Sequence, residues 1–546
     1  MAMPFGRGGC VAGRASPFDA PPFHAPCPRG PGDAKRSMTL AFPPREPVPE
    51  RFNLARYCLE GSASAQPERI ALTVVGDDGA LRLSYRELDE KVRRLAAGLE
   101  ALQLPPKARV MIRMGNEANA ALAYFAAIAA GYVALLASSQ LTFEEASFLC
   151  GDCGASALLL GADFEAEAHA SDGLHILRGE EIQRALAHAP LSSYADTHKD
   201  DPAYLVYTSG TTSRPKGVLH AHRAAFARRL MYPHWMGLGP TDTMLHAGAI
   251  NWTYTLGVGV VDPLACGAQA VLYSGKPDPA VWPRLIAEHG ATIFAAVPGV
   301  YRQMLKSGAL EPAALATLRH GLSAGAALSP ALLAEWREAT GKEIFEAYGM
   351  SEVSTFVSSG PTTPAMPGSP GRPQPGRPVA ALPREGGETP LPVGEIGLLA
   401  MHESEPGLML GYWNRAEEEA QSRRGPWFVS GDLVALDADG YVHLHGRADE
   451  VMNAGGYRVS PAEVERCLAH LPQIAEVAVA ERPGRDPGAT IIKAYVVLRE
   501  GESLSEAQAL AHCAEHLAGY KRPRAIVFLP ALPRNANGKL SRAALP

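Results

Sequence analysis

Residues 207–217 read Tyr-Thr-Ser-Gly-Thr-Thr-Ser-Arg-Pro-Lys-Gly. They follow the apolar run Ala203–Tyr207, which we predict to be a buried strand. A glycine-rich turn at a strand end lets backbone N–H groups converge on an anion, and nearby hydroxyl groups add donors. The stretch therefore predicts a phosphate-binding loop. It is not a Walker A loop, because Lys216 comes before Gly217, whereas that pattern has Lys-Ser/Thr directly after its last glycine.

The composition is that of a large globular enzyme, and nothing in it points to nucleic-acid binding. A length of 546 residues exceeds one compact core and predicts about two to four domains. The formal net charge is -6 and the pI is about 6.3, whereas nucleic-acid binding usually leaves a basic footprint. Only eight residues are cysteine, which favours reduced thiols and a cytoplasmic protein.

Three segments invite other interpretations. The uncharged stretch Ala120–Ala137 is long enough for a membrane span, but we expect a buried helix to about Ala130 and then a strand. Cys150 and Cys153 form a single CxxC pair, which we place in a loop after a helix rather than in a zinc or redox site. Residues 1–37 are rich in Gly, Pro, Arg and Ala. We expect a disordered extension there, with a transit peptide or a start assigned too early as alternatives.

From about residue 50 to 445, short apolar runs alternate with helical stretches. This alternation predicts an α/β fold with largely parallel, stacked sheets. The clearest runs are strands at 270–273 and 292–296 and helices at 279–289 and 330–340, and we interpret residues 360–394, rich in Pro and Gly, as loop.

A second, smaller α+β domain is predicted to begin near Gly446. Ser460, Pro461 and Glu463 have the pattern of an N-cap, a first helical residue and a capping-box partner. A helix over 461–470 and strands over 476–480 and 491–498 follow. We therefore expect an extension over residues 1–37, a large domain over 38–446 and a small domain over 447–546.

The loop and four further motifs resemble the adenylate-forming enzymes, which include acyl-CoA synthetases, luciferases and peptide-synthetase adenylation domains. The further motifs are Phe345–Glu352, Trp427–Asp432, Asn453–Arg458 and Pro533–Lys539, and the resemblance spans roughly residues 50–546. It implies that a carboxylic acid attacks the α-phosphate of ATP, releases pyrophosphate and leaves an acyl-adenylate. In the acyl-CoA synthetase branch, coenzyme A then takes the acyl group.

The resemblance implies a role for each motif residue in binding MgATP. Tyr348 would lie against adenine, Ser351 would touch the α-phosphate and Glu352 would ligate Mg²⁺, a cation that prefers oxygen. Asp432 would accept hydrogen bonds from the ribose hydroxyls. Gly325 and Ala326 would form the other wall of the adenine site, and Arg447 would reach the ribose or phosphate. The residues that would surround the triphosphate are Thr208, Ser209, Gly210, Thr211, Thr212 and Lys216. Ser351 and Ser430 stand where the family usually has Thr.

The same resemblance assigns roles in the second half-reaction. Asp449 would be the hinge between the domains. Gly455 and Gly456 would line the tunnel that holds the pantetheine arm of coenzyme A. The alternative is that this segment is an ordinary turn between the domains. Lys539, presented by the Asn537-Gly538 turn, would bridge the substrate carboxylate and the α-phosphate.

The acyl pocket is expected from Asn251, Trp252, Tyr254, Val297 and Ser323, although Trp252 could equally be ordinary core. No carboxylate lies between Leu245 and Val261 to hold an amino group. An aromatic or medium-chain acid therefore fits best.

We expect ATP, Mg²⁺ and coenzyme A as co-substrates, no nucleic acid and no membrane span, and we leave a homodimer open. Two alternatives remain: an adenylating enzyme with another acceptor, such as a carrier-protein thiol or an amine, and a non-catalytic nucleotide-binding homologue. Lys216, Glu352, Asp432 and Lys539 occur together, which argues against the second.

Overall fold

The computed structural model describes residues 46–169, 173–208, 215–276, 278–448, 452–454, 457–483, 490–517, 519–534 and 540–546. Within them the α-helices are α1 (Leu54–Ala65), α2 (Tyr85–Glu100), α3 (Ala118–Ala129), α4 (Phe143–Cys153), α5 (Gly179–Leu186), α6 (Arg223–Ala227), α7 (Asp262–Cys266), α8 (Val281–His289), α9 (Pro298–Ser307), α10 (Pro330–Thr340), α11 (Ala416–Gln421), α12 (Pro461–Ala469) and α13 (Glu506–His516). Two π-helical segments cover Tyr232–Met236 and Thr255–Val261, and 3₁₀ turns cover Ala162–Phe164, Arg228–Leu230, Pro312–Leu315, Gly519–Lys521 and Arg542–Ala544.

The strands are β1 (Ile70–Gly76), β2 (Gly79–Ser84), β3 (Arg109–Arg113), β4 (Val133–Ala137), β5 (Ala155–Leu160), β6 (His175–Leu177), β7 (Pro202–Thr208), β8 (Lys216–Ala221), β9 (Thr243–His246), β10 (Gln269–Tyr273), β11 (Ile293–Ala296), β12 (His320–Ala324), β13 (Glu343–Met350), β14 (Ser354–Ser358), β15 (Arg372–Pro373), β16 (Val379–Leu382), β17 (Gly397–His402), β18 (Gly411–Tyr412), β19 (Arg423–Arg424), β20 (Trp427–Leu436), β21 (Val442–Arg447), β22 (Met452–Ala454), β23 (Tyr457–Val459), β24 (Ile474–Pro483), β25 (Thr490–Leu498) and β26 (Ala525–Phe528).

A seven-stranded sheet carries the predicted phosphate loop. Its order is β18-β8-β7-β4-β3-β5-β6, with β7 and β8 antiparallel and β4 parallel to β7. The predicted strand over Ala203–Tyr207 is therefore present as β7, although alternate residues are only half-buried. Helix α3 is buried along its whole length, as expected of a helix that is apolar on every side. In the described part of the chain, no helix is long and apolar enough to cross a bilayer.

A nine-stranded sheet has the order β15-β14-β13-β12-β11-β9-β10-β1-β2. The six strands from β13 to β1 in this order run parallel to their neighbours. Their carboxyl ends consequently meet at one edge of the sheet, where open α/β sheets bind their ligands. The predicted strands and helices of this region are confirmed, and α10 covers the predicted residues.

A third sheet of five strands adds β16, β17, β19, β20 and β21. The interpretation of residues 360–394 as loop is wrong in part, because β15 and β16 lie inside it. The expectation of a loop at the CxxC pair is also wrong, since Cys150 and Cys153 are buried in the last turns of α4.

The C-terminal part has its own sheet, β24-β25-β26, and its own core. Val464 and Leu468 of α12 are wholly buried in that core. The predicted capping box is wrong: Ser460 Oγ donates to the His445 carbonyl, 2.5 Å away, and Glu463 pairs with Lys521. Contacts with neighbouring elements thus replace the local cap. The fold class is confirmed, whereas the boundary at residues 446 and 447 stays a prediction.

Candidate active site

The phosphate-loop sequence connects β7 to β8, and Thr208 lies opposite Lys216 in the hairpin. Ser209, Gly210, Thr211 and Thr212 lie outside the described residues. The end of β7 is fixed by Tyr207, whose hydroxyl donates to the Asp152 carboxylate at 2.5 Å. The loop therefore starts from a strand that side-chain contacts hold in place.

Lys216 and Glu352 meet around one tyrosine that the motifs do not include. The Lys216 ammonium lies 5.4 Å from the centre of the Tyr412 ring and forms an ion pair with Glu418. The Tyr412 hydroxyl donates to Glu352 Oε1 at 2.7 Å. Burial, and next the charge of Glu352, raises the pKa of Tyr412 well above its usual range, so the hydroxyl stays a donor. Tyr412 belongs to β18, which pairs with β8, and no sequence motif marked it or Glu418.

Tyr348, Asp432 and Arg447 form a second contact group. The Tyr348 hydroxyl donates to Asp432 Oδ2 at 2.6 Å, and Arg447 Nη1 lies 3.7 Å from Asp432 Oδ1. Asp432 and Arg447 are opposite each other on β20 and β21. Burial raises the Tyr348 pKa most, followed by the charges of Asp432 and Glu352. The nearness of Glu352 to Tyr348 makes the two groups parts of one site.

The turn after β13 holds Ser351 close to β14. A Cβ on Gly349 would lie 2.1 Å from the Ser354 carbonyl oxygen, so only glycine fits there. Ser354 has a φ of 85°, a conformation that a non-glycine residue adopts at a cost of about 1–3 kcal/mol. The Ser351 carbonyl accepts a hydrogen bond from His220 Nε2 at 2.7 Å. Backbone contacts thus fix the segment that carries Ser351 and Glu352.

Gly325 and Ala326 are exposed at the carboxyl end of β12. Gly325 has a φ of +89°, which favours glycine. Ala324, the residue before it, is in register with Ala347, so these residues lie beside Tyr348 at the same sheet edge.

Of the predicted acyl-pocket residues, the structure brings Tyr254 close to the strand that carries Ser323. Tyr254 is half-buried and packs against Trp235 and His246, and its hydroxyl donates to the Leu322 carbonyl at 3.2 Å. Ser323 is wholly buried, and its Oγ has no hydrogen-bond partner among the described residues. Asn251, Trp252 and Val297 are half-buried, which suits a pocket wall better than a closed core.

Four predicted residues, Lys539, Gly455, Gly456 and Asp449, lie outside the described residues. Their roles stay predictions.

Within the described residues, no group of three or more His, Cys, Asp or Glu side chains could hold a metal ion alone. Mg²⁺ typically binds one or two carboxylates together with substrate phosphates and keeps several waters. Glu352, oriented by Tyr412, is a suitable carboxylate.

Residues 59–413 match the model of the AMP-binding enzymes, and residues 463–539 match that of the AMP-binding enzyme C-terminal domain. The chain belongs to the AMP-binding enzyme family. It is 30% identical to a 3-hydroxybenzoate–CoA ligase of Aromatoleum sp. (strain CIB) over 86% of this chain and 92% of the relative.

Two solved structures resemble the whole fold. ATP-bound MatB from Rhodopseudomonas palustris has a TM-score of 0.83 and 28% identity, over 90% of this chain and 98% of its own. The anthranilate CoA ligase AuaEII with anthranoyl-AMP has a TM-score of 0.81 and 29% identity, and the match covers 91% of this chain and 97% of the AuaEII chain. The family and these relatives make the protein an AMP-forming acid–thiol ligase of the acyl-CoA synthetase branch, with ATP, Mg²⁺ and coenzyme A as co-substrates.

Proposed function

We propose that this enzyme activates an aromatic or medium-chain carboxylic acid as its acyl-adenylate and transfers the acyl group to coenzyme A, releasing AMP and pyrophosphate. The observation that carries the proposal is the joined contact network of the site. Lys216 and Glu352 contact Tyr412, and Tyr348 contacts Asp432. Tyr348 and Glu352 lie at and just after the carboxyl end of β13, which runs parallel to β12.

We assign Lys216, Thr208 and the residues between them to the β- and γ-phosphates. Lys216 is paired with Glu418, so in our proposal the ammonium exchanges that carboxylate for phosphate oxygens when ATP binds. Glu352 supplies a carboxylate to the Mg²⁺ that ATP carries, and Ser351 donates its hydroxyl to the α-phosphate. Charge developing on the α-phosphate is stabilised by donors that are already in place.

We assign Asp432 to the two ribose hydroxyls and Tyr348 to the adenine face. Asp432 has lone pairs to spare beyond the Tyr348 hydrogen bond, because a carboxylate accepts at about four positions. Arg447 balances its charge. Gly325 and Ala326 form the opposite wall of the adenine site.

The acid is assigned to the pocket of Asn251, Trp252, Tyr254, Val297 and Ser323. Its walls are aromatic or small, and no carboxylate or ammonium projects from residues 246–261. The similarity to a 3-hydroxybenzoate–CoA ligase and to an anthranilate CoA ligase supports an aromatic acid. The few cysteines support a cytoplasmic enzyme, and a homodimer is compatible with this account.

Acid-dependent ATP–pyrophosphate exchange tests the first half-reaction. A panel of benzoates and of C4–C10 aliphatic acids is assayed, followed by thioester formation with coenzyme A. We expect exchange with at least one acid and a coenzyme A thioester of the same acid. Exchange without thioester would favour another acceptor, and no exchange with any acid would refute the proposal.

Lys539→Ala separates the half-reactions. We propose that Lys539 acts in adenylation alone, with Asp449 as hinge and Gly455 and Gly456 lining the tunnel of the second pose. The variant should lose about 10²–10³ in the exchange rate, the usual cost of removing a preorganised charge. Thioester formation from supplied acyl-adenylate should stay within about threefold of the parent rate. An equal loss in both steps would show that this role is wrong.

A further inference from the structure

One carboxylate connects the C-terminal part of the chain to the large part, which holds the nine-stranded sheet. Glu476 lies on β24, and its Oε1 accepts a hydrogen bond from Arg302 Nη1 of α9 at 2.8 Å. Its Oε2 accepts from Arg534 Nη2 at 2.9 Å. The two oxygens of Glu476 therefore bind two guanidinium groups, one from the large part and one from the C-terminal part.

Arg302 belongs to a helix that is fixed in the large part. Tyr301 and Met304, which flank it on α9, are wholly buried in a core that they share with strands of the nine-stranded sheet. The helix α9 begins directly after Val297, a residue of the proposed acyl pocket. The ion pair with Arg302 therefore ties Glu476 to the helix that starts at this pocket.

Arg534 lies at the base of the turn whose sequence contains Lys539. The Arg534 backbone pairs with that of Leu540, on the other side of this turn. Next to this pair, the Ser541 N–H donates to the Pro533 carbonyl at 2.9 Å. Because these contacts close the base of the turn, a side chain that holds the Arg534 guanidinium also restrains where the turn begins and ends.

A second ion pair joins the same two parts in a different setting. Arg499, directly after β25, binds Glu335 of α10 at 2.8 Å. Both of these side chains are more than a third exposed, whereas the Glu476 side chain is 21% exposed. This second pair does not include the base of the Lys539 turn, so Glu335 provides a matched control for Glu476.

We propose that Glu476 is a positioning residue for adenylation, because it holds the base of the Lys539 turn against the helix that begins at the acyl pocket. The inference rests on the proposed function, in which Lys539 acts in the first half-reaction alone. Adenylation proceeds from the arrangement that the contacts of Glu476 with Arg302 and Arg534 stabilise. Transfer to coenzyme A requires the C-terminal part to leave this arrangement by rotation at Asp449, so Glu476 determines how much of the enzyme is ready for the first half-reaction.

The test measures the two half-reactions separately in Glu476→Gln, which keeps the size of the side chain and removes its charge. The kcat of acid-dependent ATP–pyrophosphate exchange should fall about 5–10-fold, because both hydrogen bonds lose their charged acceptor and less of the enzyme occupies the adenylation pose. KM for ATP and for the acid should stay within about twofold, since both substrates bind to the large part. Thioester formation from supplied acyl-adenylate should not fall.

Variants of the large part test the same contact from its other side. Arg302→Gln should lower the kcat of exchange by a similar factor and leave thioester formation unchanged. Arg302→Lys keeps the positive charge and should stay within about threefold of the parent in both half-reactions. Glu335→Gln should leave both half-reactions within about twofold of the parent, because an exposed ion pair contributes little.

An unchanged ratio of the two half-reaction rates in Glu476→Gln and Arg302→Gln would overturn the inference, as would a loss confined to thioester formation. An equal loss of exchange in Glu335→Gln would also overturn it, since the base of the Lys539 turn would then have no special part. If Glu476→Gln fails to fold, the Arg302 variants decide, because that side chain is partly exposed. A parent enzyme that shows no exchange with any acid would instead refute the proposed function, so the two failures are distinct.

Discussion

Replacing Tyr348 by Phe isolates one hydrogen bond of the proposed ATP site. The variant keeps the ring that is assigned to the adenine face and removes only the hydroxyl that donates to Asp432 Oδ2 at 2.6 Å. Arg447 is a charged neighbour of Asp432, and its Nη1 is 3.7 Å from Oδ1. Without the phenol, we expect the carboxylate to turn toward that guanidinium and away from the ribose.

The magnitude follows from the type of bond that is lost. A hydrogen bond to a charged group contributes about 1.5–3 kcal/mol. If realigning the carboxylate costs the lower value, KM for ATP rises about tenfold. The value of kcat should change by less than about threefold, because the phenol does not touch the reacting atoms in our account.

The assay is pyrophosphate exchange at saturating acid with ATP varied. Tyr441→Phe is the matched control, since Tyr441 is buried and its hydroxyl also donates one hydrogen bond, to the backbone carbonyl of Pro364 at 3.0 Å. This variant should leave KM for ATP within about twofold of the parent value. An unchanged KM for ATP in folded Tyr348→Phe enzyme, or a large fall in kcat at constant KM, would refute the reasoning.

Two further predictions concern stability. Arg228→Met removes the ion-pair partner of the wholly buried Asp262 carboxylate, so the free energy of unfolding measured in urea should fall by about 3–5 kcal/mol. Adding Asp262→Asn to this variant should restore part of the lost stability. The control Glu288→Gln, which breaks an exposed ion pair with Arg284, should lower the free energy of unfolding by less than about 1 kcal/mol. Burial raises the Glu346 pKa to about 7, so this group's contribution to stability is fully present below about pH 4.5 and is lost as the pH rises through 7. The loss in urea unfolding should be about 3 kcal/mol, and Glu346→Gln should remove this pH dependence.

The sequence predicted the parts of the fold that depend on local pattern. The helix over Pro330–Thr340 and the strands around 270 and 293 were identified from apolar periodicity and from Pro and Gly punctuation. The capping box at Ser460 was wrong because the His445 carbonyl and Lys521, distant in the chain, compete for its two side chains. The short strands within 360–394 were not predicted, because edge strands in a Pro-rich segment show little apolar periodicity.

The motifs predicted Tyr348, Glu352 and Asp432 as neighbours, and the structure brings them together. Tyr412 and Glu418 could not be found in this way. Their contacts with Glu352 and Lys216 depend on the pairing of β18 with β8, which joins segments almost two hundred residues apart.

The central claim is that side chains from four distant segments surround one molecule of ATP. A crystal structure with Mg²⁺ and α,β-methylene-ATP tests it most directly. Our account predicts both ribose hydroxyls on Asp432, the metal on Glu352, and Lys216 released from Glu418 to the phosphates. A nucleotide bound elsewhere, with Lys216 still paired with Glu418 and Asp432 contacting only protein, would contradict it.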